Sequence, residues 1–524
     1  MSILDFVPEW ADRKEGCLRW QNQKSQLLRI EKNWNKYDIF VSNSSVGSGK
    51  TIILQTIARW RASKDESSAT ITHRINLMNQ HQKDFPEVPV LKGRSHYTCG
   101  EGVGSCEDHY ELFESYCEDC KYKKVKAAAT GSNNAMFNYQ SYIYNQAFKQ
   151  NLYLDEADQC FDIIAEMFSI KLWKHLYKYP KARTHGDVAI WLEGEITKLQ
   201  EERAIISKRM GKNRFLNKKS HKLSKAAAVL MKEYQLVSRQ IRKFKRVLMG
   251  LQRSPGNFFI EEVYENYRGV KRKALQVRPT TLTDLPDRLW PEEHTKKIVL
   301  MSGTIRDIDL RKMGLLGRRI YYVDTIDPIP SDRKPIIVEN KLNMSFKYQD
   351  KNIIPFAEQI EDIISRHPDT KGIVHMTYSL AEKVRPYLNS NSRIIFHDKD
   401  NKDDKLKHFL ACKEPIVLVG CGMGVGLDLD GPEYSFQIIG KIMWPNKKDK
   451  LINYLYEKQI ERIKWDTCKT VIQQWGRICR SPEDYGVTYI IDSAFGNPKK
   501  KRFGLFQQCK QYFGKSFIDS ITWR

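Results

Sequence analysis

The sequence predicts an α/β protein built on two parallel-sheet domains, the first interrupted by a small cysteine-bearing lobe and by a long helical insertion. Three features carry this expectation. Short apolar runs recur between helical patterns, at Ile39-Phe40-Val41, Leu152-Tyr153-Leu154, Ile298-Val299-Leu300, Ile373-Val374, Ile416-Val417-Leu418-Val419 and Ile490-Ile491, and read as strands buried on both faces. Four cysteines, Cys99, Cys106, Cys117 and Cys120, crowd into one window, while the other seven of the eleven are scattered. Between about 161 and 285 the chain turns long and basic, with apolar residues four and three apart, the seam of packed amphipathic helices.

At 524 residues and 41% hydrophobic, the chain can fill roughly three or four cores at about 100–200 residues per domain. No uncharged apolar run reaches about 18 residues, and Asp5 stands where a secretory leader would be apolar, so neither a membrane span nor export is expected. The expected location is the cytoplasm of a bacterium or phage-infected host, or a eukaryotic nucleus. An odd number of mostly scattered cysteines argues against a disulfide framework. A net charge of +24 and a pI near 9.4 predict a polyanionic partner and salt-sensitive binding.

Along the chain, the first strand runs into Ser44-Ser45-Val46-Gly47-Ser48-Gly49-Lys50-Thr51 and then the helical pattern Ile52-Ile53-Leu54. Strand, glycine-rich turn and helix form the context of a P-loop. Backbone N–H groups of Gly47, Ser48 and Gly49 would curl around phosphate oxygens, Lys50 would reach the β and γ phosphates, and Thr51 would bind Mg²⁺. Ser44 replaces the usual first glycine.

Next come the four cysteines, separated by six, ten and two residues. Four thiolates can enclose a metal, and their spacing alone favours a structural Cys₄ zinc site, since it fits neither common ferredoxin pattern. The strand Leu152-Tyr153-Leu154 then ends in Asp155-Glu156-Ala157-Asp158. Asp155 would hold Mg²⁺ through water, and Glu156 would orient and deprotonate an attacking water.

In the insertion, Ala227, Leu230, Tyr234, Val237, Ile241, Phe244 and Leu248 mark one helix, and Ile196, Leu199, Ile206 and Met210 another, with Arg203 in one seam position. Both flank Gly211-Lys212-Asn213-Arg214 and Lys218-Lys219, which predicts a helical hairpin with a basic tip. The proline-marked stretch Pro328-Ile329-Pro330 separates the two sheet domains. In the second, Gln473-Gln474-Trp475-Gly476-Arg477-Ile478-Cys479-Arg480 offers Gln473, Arg477 and Arg480 to a nucleotide, and an arginine in that role is worth about 10³–10⁵ in rate. The expected nucleotide thus sits between the domains.

In this order the motifs resemble those of the superfamily-two helicases, and of the DinG and XPD branch in particular. Thr72-His73-Arg74-Ile75-Asn76-Leu77-Met78-Asn79-Gln80 resembles the DNA-contacting motif after the first helix. Leu91-Lys92-Gly93-Arg94-Ser95-His96-Tyr97-Thr98-Cys99 and Cys117-Glu118-Asp119-Cys120-Lys121-Tyr122 are similar to the stretches that bracket its cluster cysteines, and Asn138-Tyr139-Gln140-Ser141-Tyr142 also fits. Met301-Ser302-Gly303-Thr304, Gly424-Val425-Gly426-Leu427-Asp428-Leu429, Lys441-Ile442-Met443-Trp444-Pro445-Asn446 and Arg480-Ser481-Pro482-Glu483-Asp484-Tyr485-Gly486 resemble its later motifs.

The resemblance, from about 18 to 495, implies two RecA-like P-loop motor domains with an iron–sulfur cluster lobe and a helical Arch-like insertion in the first. Expected boundaries are 1–94, 126–160 and 286–330 for the first motor domain, 95–125 for the lobe, 161–285 for the insertion and 331–524 for the second motor domain. It implies ATP, Mg²⁺ and a 4Fe–4S cluster on Cys99, Cys106, Cys117 and Cys120 in place of zinc, and nucleotide contacts at Gly426 and Asp428. Implied partners are single-stranded and forked duplex DNA, touched by Thr72, His73, Arg74, Met301, His375 and Tyr378, with 5′ to 3′ movement by a monomer. Asp158 departs from the branch's usual histidine, Leu427 from its valine, and Ala494 from a basic residue. Gln21 or Gln23 is the candidate adenine reader. Rival readings are an RNA remodeller, a translocase that strips proteins from DNA, and a redox-sensing DNA-binding protein.

Overall fold

The computed structural model describes all residues except 12, 15, 45–46, 100–104, 114–115, 182, 213–224, 268, 286–289, 423–428, 430 and 501. The chain divides into two compact units. One comprises Met1–Arg13, Gln23–Asn43 and Lys50–Asp324, and the other Lys14–Asn22, Ser44–Gly49 and Thr325–Arg524.

Among the described residues the first unit has ten strands: β1 (Ile39–Asn43), β2 (Ser68–Thr72), β3 (Val90–Leu91), β4 (Asn134–Asn138), β5 (Asn151–Asp155), β6 (Ile170–Trp173), β7 (Phe258–Tyr267), β8 (Val270–Pro279), β9 (Lys297–Ser302) and β10 (Ile320–Val323). Seven form a parallel sheet in the order β10-β1-β9-β5-β2-β4-β3. Its central strands are apolar on both faces, as covering a sheet with helices on each side requires. Parallel pairing also sends the carboxyl ends of β1, β9, β5 and β2 to one edge, with Asn43 opposite Ser302, Asp155 opposite Met301 and Ile71 opposite Leu154. A site assembled from four distant chain segments can form only at that edge.

The insertion is more than helical. Helices His185–Lys212 and Lys225–Arg253 pack on each other, burying Ile196, Ile206, Met210, Tyr234, Val237, Ile241 and Phe244. Arg203 keeps its seam position by laying its guanidinium over the Tyr234 ring, 6.0 Å from the centroid. Beside the helices stands an antiparallel sheet of order β6-β8-β7, which the helical reading lacked. β7 and β8 are buried at one end of the hairpin and more exposed towards the turn, where Gly269 stands at φ +83°. Of the expected basic tip, Asn213, Arg214, Lys218 and Lys219 lie outside the described residues.

The second unit contains β11 (Ile336–Leu342), β12 (Lys371–His375), β13 (Ile394–Phe396), β14 (Val417–Gly420), β15 (Tyr434–Ile439), β16 (Val487–Asp492) and β17 (Ile521–Trp523), a second parallel sheet ordered β13-β14-β12-β15-β16-β11-β17. All six apolar runs identified in the sequence fall within or overlap strands of these two parallel sheets. Among the described residues no helix is long and apolar enough to cross a membrane.

Candidate nucleotide and nucleic-acid site

β1 delivers the chain through Gly47 and Gly49, both at φ +76°, to the helix Lys50–Ala62. Side chains other than glycine avoid that backbone region, so the two glycines are what allow the turn to be this tight. Lys50 and Thr51 occupy the first turn of the helix, where unpaired N–H groups and the helix dipole favour an anion.

At the end of β5, Asp155 is buried, and its carboxylate accepts from the Glu156 backbone N–H at 2.9 Å. Burial holds this carboxyl above its usual range, against the pull of Lys50 and with a further push from Glu156. A divalent cation here would offset that desolvation, so the donor set fits Mg²⁺. Glu156 itself sits at φ +52°, ψ +44°, a left-handed conformation uncommon for a long side chain. Its Oε2 lies 3.3 Å from Arg74 Nε and 3.4 Å from His73 Nδ1.

Asp158 is also buried, and it joins β5 to β9. The Ser302 hydroxyl donates to its Oδ1 and the Thr304 hydroxyl to its Oδ2 at 3.4 Å, while the Thr304 N–H donates to Ser302 Oγ at 3.3 Å. A carboxylate can take both hydroxyls at once, which accounts for an aspartate where histidine was anticipated. Asn43, which sequence reasoning missed, completes the edge by accepting the Ile305 N–H at 2.7 Å. So does the buried pair in which Ser42 donates to Gln26 at 2.6 Å. No motif marks these residues, because each is a polar group at a strand end or on a helix whose partner is known only after folding. Of the adenine candidates, Gln23 is buried and Gln21 exposed.

Of the expected strand contacts, Thr72, Met301 and His375 are buried. Met301 packs inside β9, and His375 Nε2 pairs with Gln437 Oε1 at 3.1 Å, held near 4 by burial and therefore neutral. Gln437 Nε2 in turn donates to Thr488 Oγ1 at 2.9 Å and to the Trp475 carbonyl at 3.1 Å. His73, Arg74 and Tyr378 are partly exposed.

In the second unit the helix Ile460–Trp475 carries Gln473 in its last turn and ends at Gly476. Arg477 is buried, its Nε donating to the Gln473 carbonyl at 3.0 Å. Arg480 is placed by its backbone N–H, which with that of Ser481 donates to Asp484 Oδ2, each at 2.8 Å. Gly426 and Asp428 lie outside the described residues.

Cys99, Cys106, Cys117 and Cys120 are all buried, and their thiols meet. Cys120 Sγ is 3.7 Å from Cys106 Sγ, and Cys117 contacts both Cys99 and Cys120. Burial, then these neighbouring sulfurs, push the Cys117 thiol up to about 12. Thiols that crowd in this way would be deprotonated by a bound metal cation, which would replace their protons. Among the described residues no group of three or more His, Cys, Asp or Glu is laid out as a ready metal site. Arg94 stacks over Tyr110 at 4.0 Å beside them, and Tyr116 and Tyr122 close the same cluster.

Residues 360–507 match the family model described as the helicase C-terminal domain. Among solved structures, the fold is similar to that of Xpd4 from S. tokodaii, with a TM-score of 0.55 at 14% identity over 96% of this chain and 100% of that one. A structure described as an XPD helicase aligns with a TM-score of 0.57 at 14% identity, over 98% and 100% of the two chains. An apo XPD structure gives 0.56 at 14% identity, over 92% and 97%. The chain has the fold of the XPD-type helicases, with two parallel seven-stranded sheets in place of their RecA-like motor domains.

Proposed function

We propose that the protein is an ATP-driven motor that moves along single-stranded DNA, 5′ to 3′, and separates forked duplexes. The observation that carries this reading is the edge of the first sheet, where Lys50, Asp155, Glu156 and the Asp158–Ser302–Thr304 link converge on the anion-binding end of one helix. Lys50 grips the β and γ phosphates. Thr51 and Asp155 hold Mg²⁺, which neutralises charge on the transferring phosphoryl group when bound. Glu156 orients and deprotonates the attacking water, and Gln473, Arg477 and Arg480 supply hydrogen bonds and positive charge to the transition state. The link from Asp158 to Ser302 and Thr304 relays the state of the acidic motif to β9. A net charge of +24 suits a partner held mostly through phosphates.

ATP turnover measured with single-stranded DNA, with RNA and with no nucleic acid tests this. Stimulation by DNA supports the motor; stimulation by RNA alone transfers it to an RNA remodeller. No stimulation by either nucleic acid would favour a redox-sensing DNA-binding protein.

The four cysteines hold a 4Fe–4S cluster in this reading and staple the lobe at 95–125 to the first motor domain, with the insertion at 161–285 as the Arch. The spacing of the four cysteines taken alone favours a structural zinc site instead. Iron and acid-labile sulfide in anaerobically purified protein, with broad absorbance near about 400 nm, would support the cluster. Stoichiometric zinc in colourless protein would replace it.

A further inference from the structure

We propose that Arg74, aided by His73, is a latch on Glu156 that a phosphate of the bound single strand releases, so that strand binding itself switches on hydrolysis. This rests on the reading of Glu156 as the group that activates water.

β2 and β5 are neighbours in the sheet, and their parallel register carries residues 73–74 and 156 out of the same edge side by side. Two independent signs mark the Glu156 conformation as held rather than relaxed. One is its left-handed backbone at φ +52°, which a non-glycine residue keeps only where its surroundings impose it. The other is the pair of contacts on a single carboxylate oxygen, 3.3 Å to Arg74 Nε and 3.4 Å to His73 Nδ1. The one hydrogen on Arg74 Nε goes to His73 Nε2 at 3.1 Å, which leaves the imidazole proton on Nδ1, 3.4 Å from Glu156 Oε2 without forming a hydrogen bond to it. Burial and the charge of Arg74 keep this histidine neutral, so it orients and the arginine attracts.

The contact with Arg74 is an ion pair and not a hydrogen bond, and it draws that oxygen towards the guanidinium and away from an incoming water. The lock is accessible, because the Arg74 side chain is 25% exposed and that of His73 22%. Arginine binds phosphate and carboxylate with the same planar fork, so a backbone phosphate competes directly with Glu156 for it. A ligand shifts an equilibrium only by its differential affinity for the two states. Here the difference is explicit: Arg74 is spent on Glu156 in one state and available to the strand in the other.

Steady-state ATP turnover of the full chain with saturating oligothymidylate, and with none, tests the latch in Arg74→Gln and Arg74→Lys. Arg74→Gln is expected to raise turnover without the strand about tenfold or more, within the ~10²–10⁴ that a positioned base supplies. The stimulation ratio should fall towards one while KM for ATP holds, and Arg74→Lys, which keeps the charge but not the fork, should fall between. Turnover that drops with and without the strand would make Arg74 an activating, positioning residue and overturn the latch. So would an unchanged stimulation ratio. His73→Gln reads the same release more weakly should Arg74→Gln prove insoluble. If Glu156→Gln hydrolyses as fast as the parent, the assignment of Glu156 is what has failed.

Discussion

Replacing Asp158 by alanine should disable the link between β5 and β9, and its size follows from the geometry. The carboxylate is buried and takes the Ser302 hydroxyl closely and the Thr304 hydroxyl at 3.4 Å. A hydrogen bond to a charged acceptor contributes about 1.5–3 kcal/mol, and the second, being long, much less. Ser302 is itself buried, so losing its acceptor leaves a hydroxyl whose desolvation costs about 1–3 kcal/mol more if it is not met again. Allowing for relaxation, the first unit should lose about 2–4 kcal/mol, a fall in melting temperature on the order of 3–6 °C for a unit of this size. Calorimetry reads the stability, and parallel assays of ATP turnover and strand displacement read the coupling. Hydrolysis should persist at a reduced rate while displacement per ATP falls further. Asp158→Asn, which keeps one acceptor oxygen, should recover part of both. A loss under about 0.5 kcal/mol with unchanged coupling would refute the argument, since that is the range of an ordinary surface substitution.

Lys50→Ala should abolish hydrolysis while retention on a single-stranded DNA column persists, because the lysine serves the nucleotide alone. Cys117→Ser should lose the bound metal, read by elemental analysis, and strand separation with it; unwinding that survives metal loss would detach the lobe from function. Gly372→Ala should destabilise the second unit by about 1–3 kcal/mol, because the new methyl would lie 2.2 Å from the ring of Phe436, which is fully buried and stacked on His367 at 4.4 Å. Chemical denaturation of the two proteins side by side checks it. His375, held near 4 by burial, binds a proton in the unfolded chain before it does so in the folded one. The stability tied to its neutral form is therefore present above the unfolded value of about 6.5 and lost as pH falls towards 4, by on the order of 3 kcal/mol. His375→Gln should flatten that part of the stability profile of the second unit.

Much of the architecture was legible before folding, and for a definite reason. A strand buried on both faces must be apolar at every position, so Ile39-Phe40-Val41 or Ile298-Val299-Leu300 announces itself locally. The helix pair was equally open, because its seam repeats within one segment, and residues such as Ile241 and Phe244 are buried as the spacing required. The sheet β6-β8-β7 was not legible in the same way, because the runs that form β7 and β8 do not alternate and only Gly269 marks the turn between them.

The residues offered for chemistry divide on the same line. Gly47, Gly49 and Lys50, and likewise Asp155 and Glu156, are contiguous, and the backbone between neighbours fixes what they can do, so the sequence by itself was sufficient to nominate them. It could not say that Met301 and His375 would be sealed inside sheets, that Asp158 would reach across to Ser302 and Thr304, or that Arg74 would stand against Glu156. Those facts depend on which strands become neighbours. Pairing β5 with β9 on one side and β2 on the other brings together groups that stand about eighty to a hundred and forty-six residues apart in the chain, and only the packed sheet decides which polar atoms meet and which are buried.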